Sequence, residues 1–188
     1  MAGLQRWSQR FYQYGNLYVL LSALAIFTIF ITIILPSEAE TLAAKTSSNR
    51  SPDTTLFYSA EELYDIAEEY GDEGRAAYVH SRYTFDVVWP LAFTFFLTAG
   101  MSFFFRPLTF SKWKLINLLP IVGMLFDFLE NTAASIVMLR FPSTTHVIAL
   151  FTPFFTLQKW LFIFASFTLL FVALIYRVIH TIKKRKSL

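Results

Sequence analysis

The sequence predicts an all-α fold, an integral membrane four-helix bundle, and three observations predict it. Hydrophobic residues make up 55 % of the 188 residues and 22 positions are Phe, more apolar surface than a soluble domain of this length has interior to hide. Four apolar stretches reach the roughly 20 residues that a 30 Å hydrocarbon core demands. Ten of the sixteen Lys and Arg residues fall in three short stretches beside those spans, while all thirteen acids lie between Glu38 and Glu130. Basic residues gathered at the flanks of apolar spans mark the cytoplasmic side of a membrane.

The first span is Leu17 to Leu35, free of charge and closed by Pro36. Its apolar run is longer than a signal-peptide core, so it reads as a retained transmembrane helix. The loop that follows, 36–85, reads as extracytoplasmic. Its first part, 37–56, is small and polar, which suits a flexible or irregular tether. Ser59 and Glu62 then form a capping box, and Gly71 stops a helix over 59–70 whose Leu63, Ile66, Ala67 and Tyr70 share one face. A second helix begins near Glu73 and runs on into the second span, 87–105, with Pro90 tolerated inside it.

The third span is 115–139 and the fourth is 153–176. Between them, 141–152 is apolar but too short to cross, and reads as an interfacial segment that Pro153 turns into the last helix. Arg6 and Arg10, then Arg106, Lys112 and Lys114, then the basic tail 177–188 all fall on one side. That puts both termini in the cytoplasm of a plasma or inner membrane. The absence of Cys excludes disulfides, thiolate metal sites and Cys nucleophiles. A nucleic-acid partner is not expected, because the basic residues lack a folded face with interleaved aromatic and polar groups. Membrane lipids are the expected partners, and a homo-oligomer or a larger membrane complex would suit the bundle faces.

Ionisable residues inside the membrane are expensive and are a functional hypothesis by default. Asp127, Glu130 and Asn131 in the third span project from one helix face at i, i+3 and i+4. Asp127 lies about 20 Å along the helix from Lys114 at 1.5 Å per residue, near mid-membrane. Arg75, Tyr78, Arg82, Asp86 and Pro90 recur at spacings of 3, 4, 4 and 4, a polar stripe descending to the outer boundary, and Thr94 and Thr98 extend it. Lys159 lies about 27 Å before Arg177, so it enters the outer end of the fourth span within reach of Glu130. Arg75, Tyr78, Arg82, Asp86, Asp127, Glu130, Asn131 and Lys159 are therefore the candidate ligand-binding residues.

The same residues also fit a purely structural network, with Arg82 on Asp86 and Lys159 on Glu130. Asp86, Asp127 and Glu130 are hard oxygen ligands of the type that Mg or Ca takes, but their spacing matches no metal motif and the nearby cations compete for them. No metal or other cofactor is assigned. Asp127 and Glu130 are candidates for a general acid or base, and no nucleophile motif accompanies them. His80, His146 and His180 read as surface or headgroup contacts.

Tyr70-Gly71, Gly74-Arg75, Tyr78, Asp86 and Trp89-Pro90, followed by Asp127-x-x-Glu130-Asn131, resemble the pattern of a group of small four-helix membrane proteins of bacterial type. The resemblance spans roughly residues 58–175. It implies the same topology and brings no activity with it. The leading expectation is a multi-pass membrane protein whose outward-facing polar pocket binds a lipid or another amphipathic or polar ligand. A lipid-modifying enzyme using Asp127 or Glu130, and an accessory subunit of a larger complex, are the alternatives.

Overall fold

A computed structural model describes residues 2–105 and 114–186 of the chain. Arg106 and Lys112, and the side chains of His180 and of the last basic residues, lie outside the described residues. Among the described residues the chain is helical, with no strand: α1 (Ala2–Tyr14), α2 (Leu17–Ile29), α3 (Leu35–Thr46), α4 (Ala60–Tyr83), α5 (Phe85–Phe105), α6 (Leu119–Arg140) and α7 (His146–Lys186). Four stretches are long and apolar enough to cross a membrane: Leu17–Thr46, Ala60–Phe105, Ile116–Arg140 and His146–Ile179.

Pro36 does not end the first span. Proline lacks an N–H and its ring crowds the carbonyl four residues back, which normally breaks a helix. Here the five residues Phe30–Ile34 widen into a π turn, in which the Leu35 N–H reaches the Phe30 carbonyl five residues earlier. The wider turn accommodates the proline, and the helix runs on as α3 to Thr46. Residues 37–46, read from the sequence as part of a flexible tether, are helical for this reason.

The capping box of α4 is formed: the Glu62 N–H donates to Ser59 Oγ (3.2 Å) and the Ser59 N–H to Glu62 Oε2 (2.7 Å). Gly71 adopts φ 62°, left-handed backbone that favours glycine, and its non-helical geometry divides α4 into two helical segments at the stop that the sequence predicts. A second break falls at Thr84, so α4 does not pass unbroken into the second span. The segment after α6 is likewise shorter than expected, because α7 starts at His146 and carries Pro153 inside it.

The inner face of α4 buries Leu63, Ile66, Ala67, Tyr70 and Tyr78 against Ala134, Val137 and Met138 of α6 and Ala149 of α7. Lower down, Phe93 and Leu97 of α5 meet Ile163 of α7, with Phe27 of α2 packed alongside. The outward residues of α2, the π turn and α7, among them Leu21, Ile33, Leu150, Leu161 and Phe171, stay exposed. Apolar surface of that extent is stable in lipid and not in water.

The opposite end of the bundle is closed by α1, an element absent from the sequence reading. Ser8 on α1 sits 2.7 Å from Asn117 Oδ1, and Asn117 Nδ2 donates to the Ser8 carbonyl and to Ser102 Oγ, both at 3.1 Å. Gly15 then lets the chain pass from α1 to α2 against α5, where a Cβ would meet Ser102 Cβ at 2.9 Å. Since Ser102 backbone also lies close, Gly15→Ala is expected to destabilise the protein by about 1–3 kcal/mol. A lower thermal midpoint in detergent is the readout; an unchanged midpoint would mean that α1 yields freely.

Candidate functional site

At the loop end of the bundle, side chains from five segments converge on a buried charge cluster. Kinked α4 brings Arg82 to its last turn, and the break at Thr84 starts α5 with Asp86 one turn later. Arg82 Nη2 pairs with Asp86 Oδ2 at 2.7 Å. From α6 come Asp127 and Glu130, and from α7 Lys159, whose ammonium lies 2.5 Å from Glu130 Oε2 and 3.3 Å from Asp127 Oδ1. The two pairs that the sequence offered as a register lock, Arg82–Asp86 and Lys159–Glu130, are thus both present.

The centre of the cluster is a residue that the sequence reading missed. Asp53 sits in a short turn, Pro52–Thr54, within the linker between α3 and α4. Its Oδ1 lies 2.5 Å from Lys159 Nζ and its Oδ2 lies 3.3 Å from Arg82 Nη1, so one carboxylate bridges both buried cations. Lys159 Nζ and Trp160 Nε1 also donate to the Asp53 carbonyl, at 3.2 and 3.3 Å. Tyr70 donates to the Arg50 carbonyl at 2.6 Å, and the Tyr58 hydroxyl lies 2.9 Å from Thr156 Oγ1. The segment is therefore pinned as a strap and is not a free tether. Helical periodicity carries no signal for a turn residue; the only hint was an acid directly after proline.

The electrostatics follow from this geometry. Burial favours the neutral form of the Asp53 carboxyl, but the Lys159 ammonium and the Arg82 guanidinium outweigh it and hold the group below the ordinary carboxylate range. Burial, and next the Glu130 carboxylate, push the Tyr58 phenol well above its usual value, so Tyr58 remains neutral. Two cations face four carboxylates: Asp53, Asp86, Asp127 and Glu130. The cluster keeps excess negative charge unless a proton or a further cation enters.

Asp53, Asp127 and Glu130 present oxygens within 4.8 Å of one another, the span of a cation cage. The Lys159 ammonium supplies the positive charge among them. Asp86, the third candidate metal ligand from the sequence, is not part of this trio, because Arg82 at i−4 claims it.

The remaining candidates divide. Tyr78 is fully buried, with the Arg82 guanidinium 4.6 Å above its ring and no hydrogen-bond partner for its hydroxyl among the described residues. Asn131 is buried beside the cluster, but its side chain makes no hydrogen bond among them. Arg75 does not join the cluster. It donates to the Ala67 carbonyl at 2.7 Å, pairs with Asp72, and lies over the Phe141 ring at 4.7 Å. The kink at Gly71 explains this, since Arg75 reaches back across it toward the carbonyl-rich end of the preceding helical segment. Thr94 and Thr98 line a separate apolar groove with Phe11 and Tyr14.

Beside the cluster opens a cleft of about 260 Å³ between α3, the strap and the α4–α5 junction. Leu35, Ala39, Leu42 and Phe85 form an apolar wall, and Asp53, Arg82 and Asp86 form its polar floor. Arg82 is only 5 % exposed, and its Nε has no hydrogen-bond partner among the described residues. Glu130 is completely buried, and neither it nor Asp127 lines this cleft.

The four apolar helices and their lipid-type exterior define a multi-pass integral membrane protein, with a buried ion cluster at one end of the bundle. Compared with family models, with curated proteins and with solved structures, the chain matches none.

Proposed function

We propose that this membrane protein binds a polar or amphipathic ligand, such as a lipid, in the cleft between α3, the strap and the α4–α5 junction. The observation that carries the reading is Arg82. A buried guanidinium at the floor of a cleft with an apolar wall is a preformed polar anchor. A membrane lipid meets both demands, with its headgroup on the floor and its chain along Leu35, Ala39 and Leu42. The basic flanks at the other end of the bundle support an orientation with that end in the cytoplasm and the cleft facing outward. Acid–base catalysis by Asp127 or Glu130 has less support, since both are closed off behind Lys159 and Asp53.

Native mass spectrometry of the detergent-extracted protein tests the proposal. The wild type is expected to carry a co-purifying adduct. Ala43→Trp fills the cleft from α3 without touching an ion pair, and is expected to lose the adduct while keeping its thermal midpoint. Arg82→Gln should lose it too, but with reduced stability. A wild type with no adduct, or an Ala43→Trp variant that retains it, would sink the proposal.

A further inference from the structure

Building on that reading of the cleft, we infer that the group its floor selects is an organic ammonium, carried either on the headgroup of an aminophospholipid or on a soluble amine. The lining holds three carboxylates, Glu38, Asp53 and Asp86, against two guanidinium groups, Arg50 and Arg82. Those guanidinium groups are already engaged. Arg82 pairs with Asp53 and Asp86, while Arg50 pairs with Glu69 at 3.5 Å. Glu38 has no ion pair among the described residues. Behind the floor, Asp127 and Glu130 add two more carboxylates against the one ammonium of Lys159.

An anionic headgroup entering here would meet the unpaired Glu38 carboxylate, a like-charge juxtaposition that recognition sites use to reject partners. A cation would relieve it. The aromatic residues point the same way. Trp89, Phe85 and Tyr70 line the cleft, and ammonium groups bind the faces of such rings. Two of these rings are braced: Trp89 stacks on Phe27 at 5.8 Å and on Phe30 at 6.0 Å, and Phe85 on Phe30 at 6.4 Å. Rigid rings and an unpaired acid lining one cleft with an apolar wall suit an ammonium followed by a chain.

Native mass spectrometry in mixed micelles reads the preference, with phosphatidylethanolamine and phosphatidylglycerol of identical chains as the probes. The ethanolamine lipid is expected to occupy the wild type about fivefold more than the glycerol lipid, the ratio that one good cation–π contact supplies. Glu38→Gln should shrink that ratio toward one, and Ala43→Trp should abolish both adducts. Free ethanolamine added to the lipid-loaded protein separates the sources. Displacement at millimolar concentration assigns the site to the amine alone, and no displacement assigns it to the lipid.

Equal or preferred binding of phosphatidylglycerol, still blocked by Ala43→Trp, would overturn the ammonium assignment and leave the cleft as a binding site. Lipid adducts that ignore Ala43→Trp would overturn the cleft reading itself.

Discussion

Replacing Lys159 with Met is expected to cost the fold about 3–5 kcal/mol, the loss usual when one partner of a buried ion pair is removed. Lys159 is the only ammonium within reach of Asp53, Asp127 and Glu130 among the described residues, at 2.5, 3.3 and 2.5 Å. Met keeps the length and apolar volume of the side chain, so packing changes little and the charge is the variable. In detergent the thermal midpoint should fall on the order of 10 °C for a chain of this size. The double variant Lys159→Met with Glu130→Gln should recover part of the loss, because it takes away a carboxylate that the single variant strands. A Lys159→Met protein as stable as the wild type would mean that the cluster does not hold the helices together.

Asp53→Asn is expected to release the strap. The variant keeps the shape of the side chain but removes the carboxylate that bridges Lys159 and Arg82. Trypsin cleavage after Arg50, an exposed residue in the strap, should then accelerate at least about tenfold, since local opening that was held by a buried ion pair becomes cheap. The pH dependence follows from the low native pKa of Asp53. Its carboxyl is depressed in the fold, so the unfolded chain takes up the proton first as pH falls. The contribution of Asp53 is therefore complete above about pH 5 and shrinks below about pH 4, the ordinary range for an Asp carboxyl. The stability difference between wild type and Asp53→Asn should narrow as pH falls below about 4. A constant difference down to pH 3, or equal cleavage of both proteins, would show that the strap is held by other contacts.

The four spans were legible because lipid imposes a composition rule that needs no tertiary information: about 20 apolar residues, bounded by charge or turn residues. Arg82, Asp86, Asp127, Glu130 and Lys159 were legible for a related reason. An ionisable residue within a span has to face a partner, and helical spacing says which face that is. The same reasoning failed at Arg75 and at Pro36. Arg75 shares the stripe with Tyr78 and Arg82, but the backbone turns at Gly71 and its guanidinium finds a carbonyl before it reaches the cluster. Pro36 carries every local mark of a helix stop, yet a π turn that ends two residues upstream absorbs it.

The sequence by itself therefore determined the membrane class, the number of spans, and the acids and bases that have to be buried together, because hydrophobic length and helical period are local properties. Only the tertiary structure decided that Asp53 stands at the centre of those charges, and that the cleft opens beside Arg82 rather than at Asp127 and Glu130. Asp53 lies in a turn with no period, and reaches Lys159, 106 positions later in the chain, only when α3 and α4 close the strap over the bundle. Such a long-range ionic contact is specified by the packing of whole helices, and no local pattern encodes it.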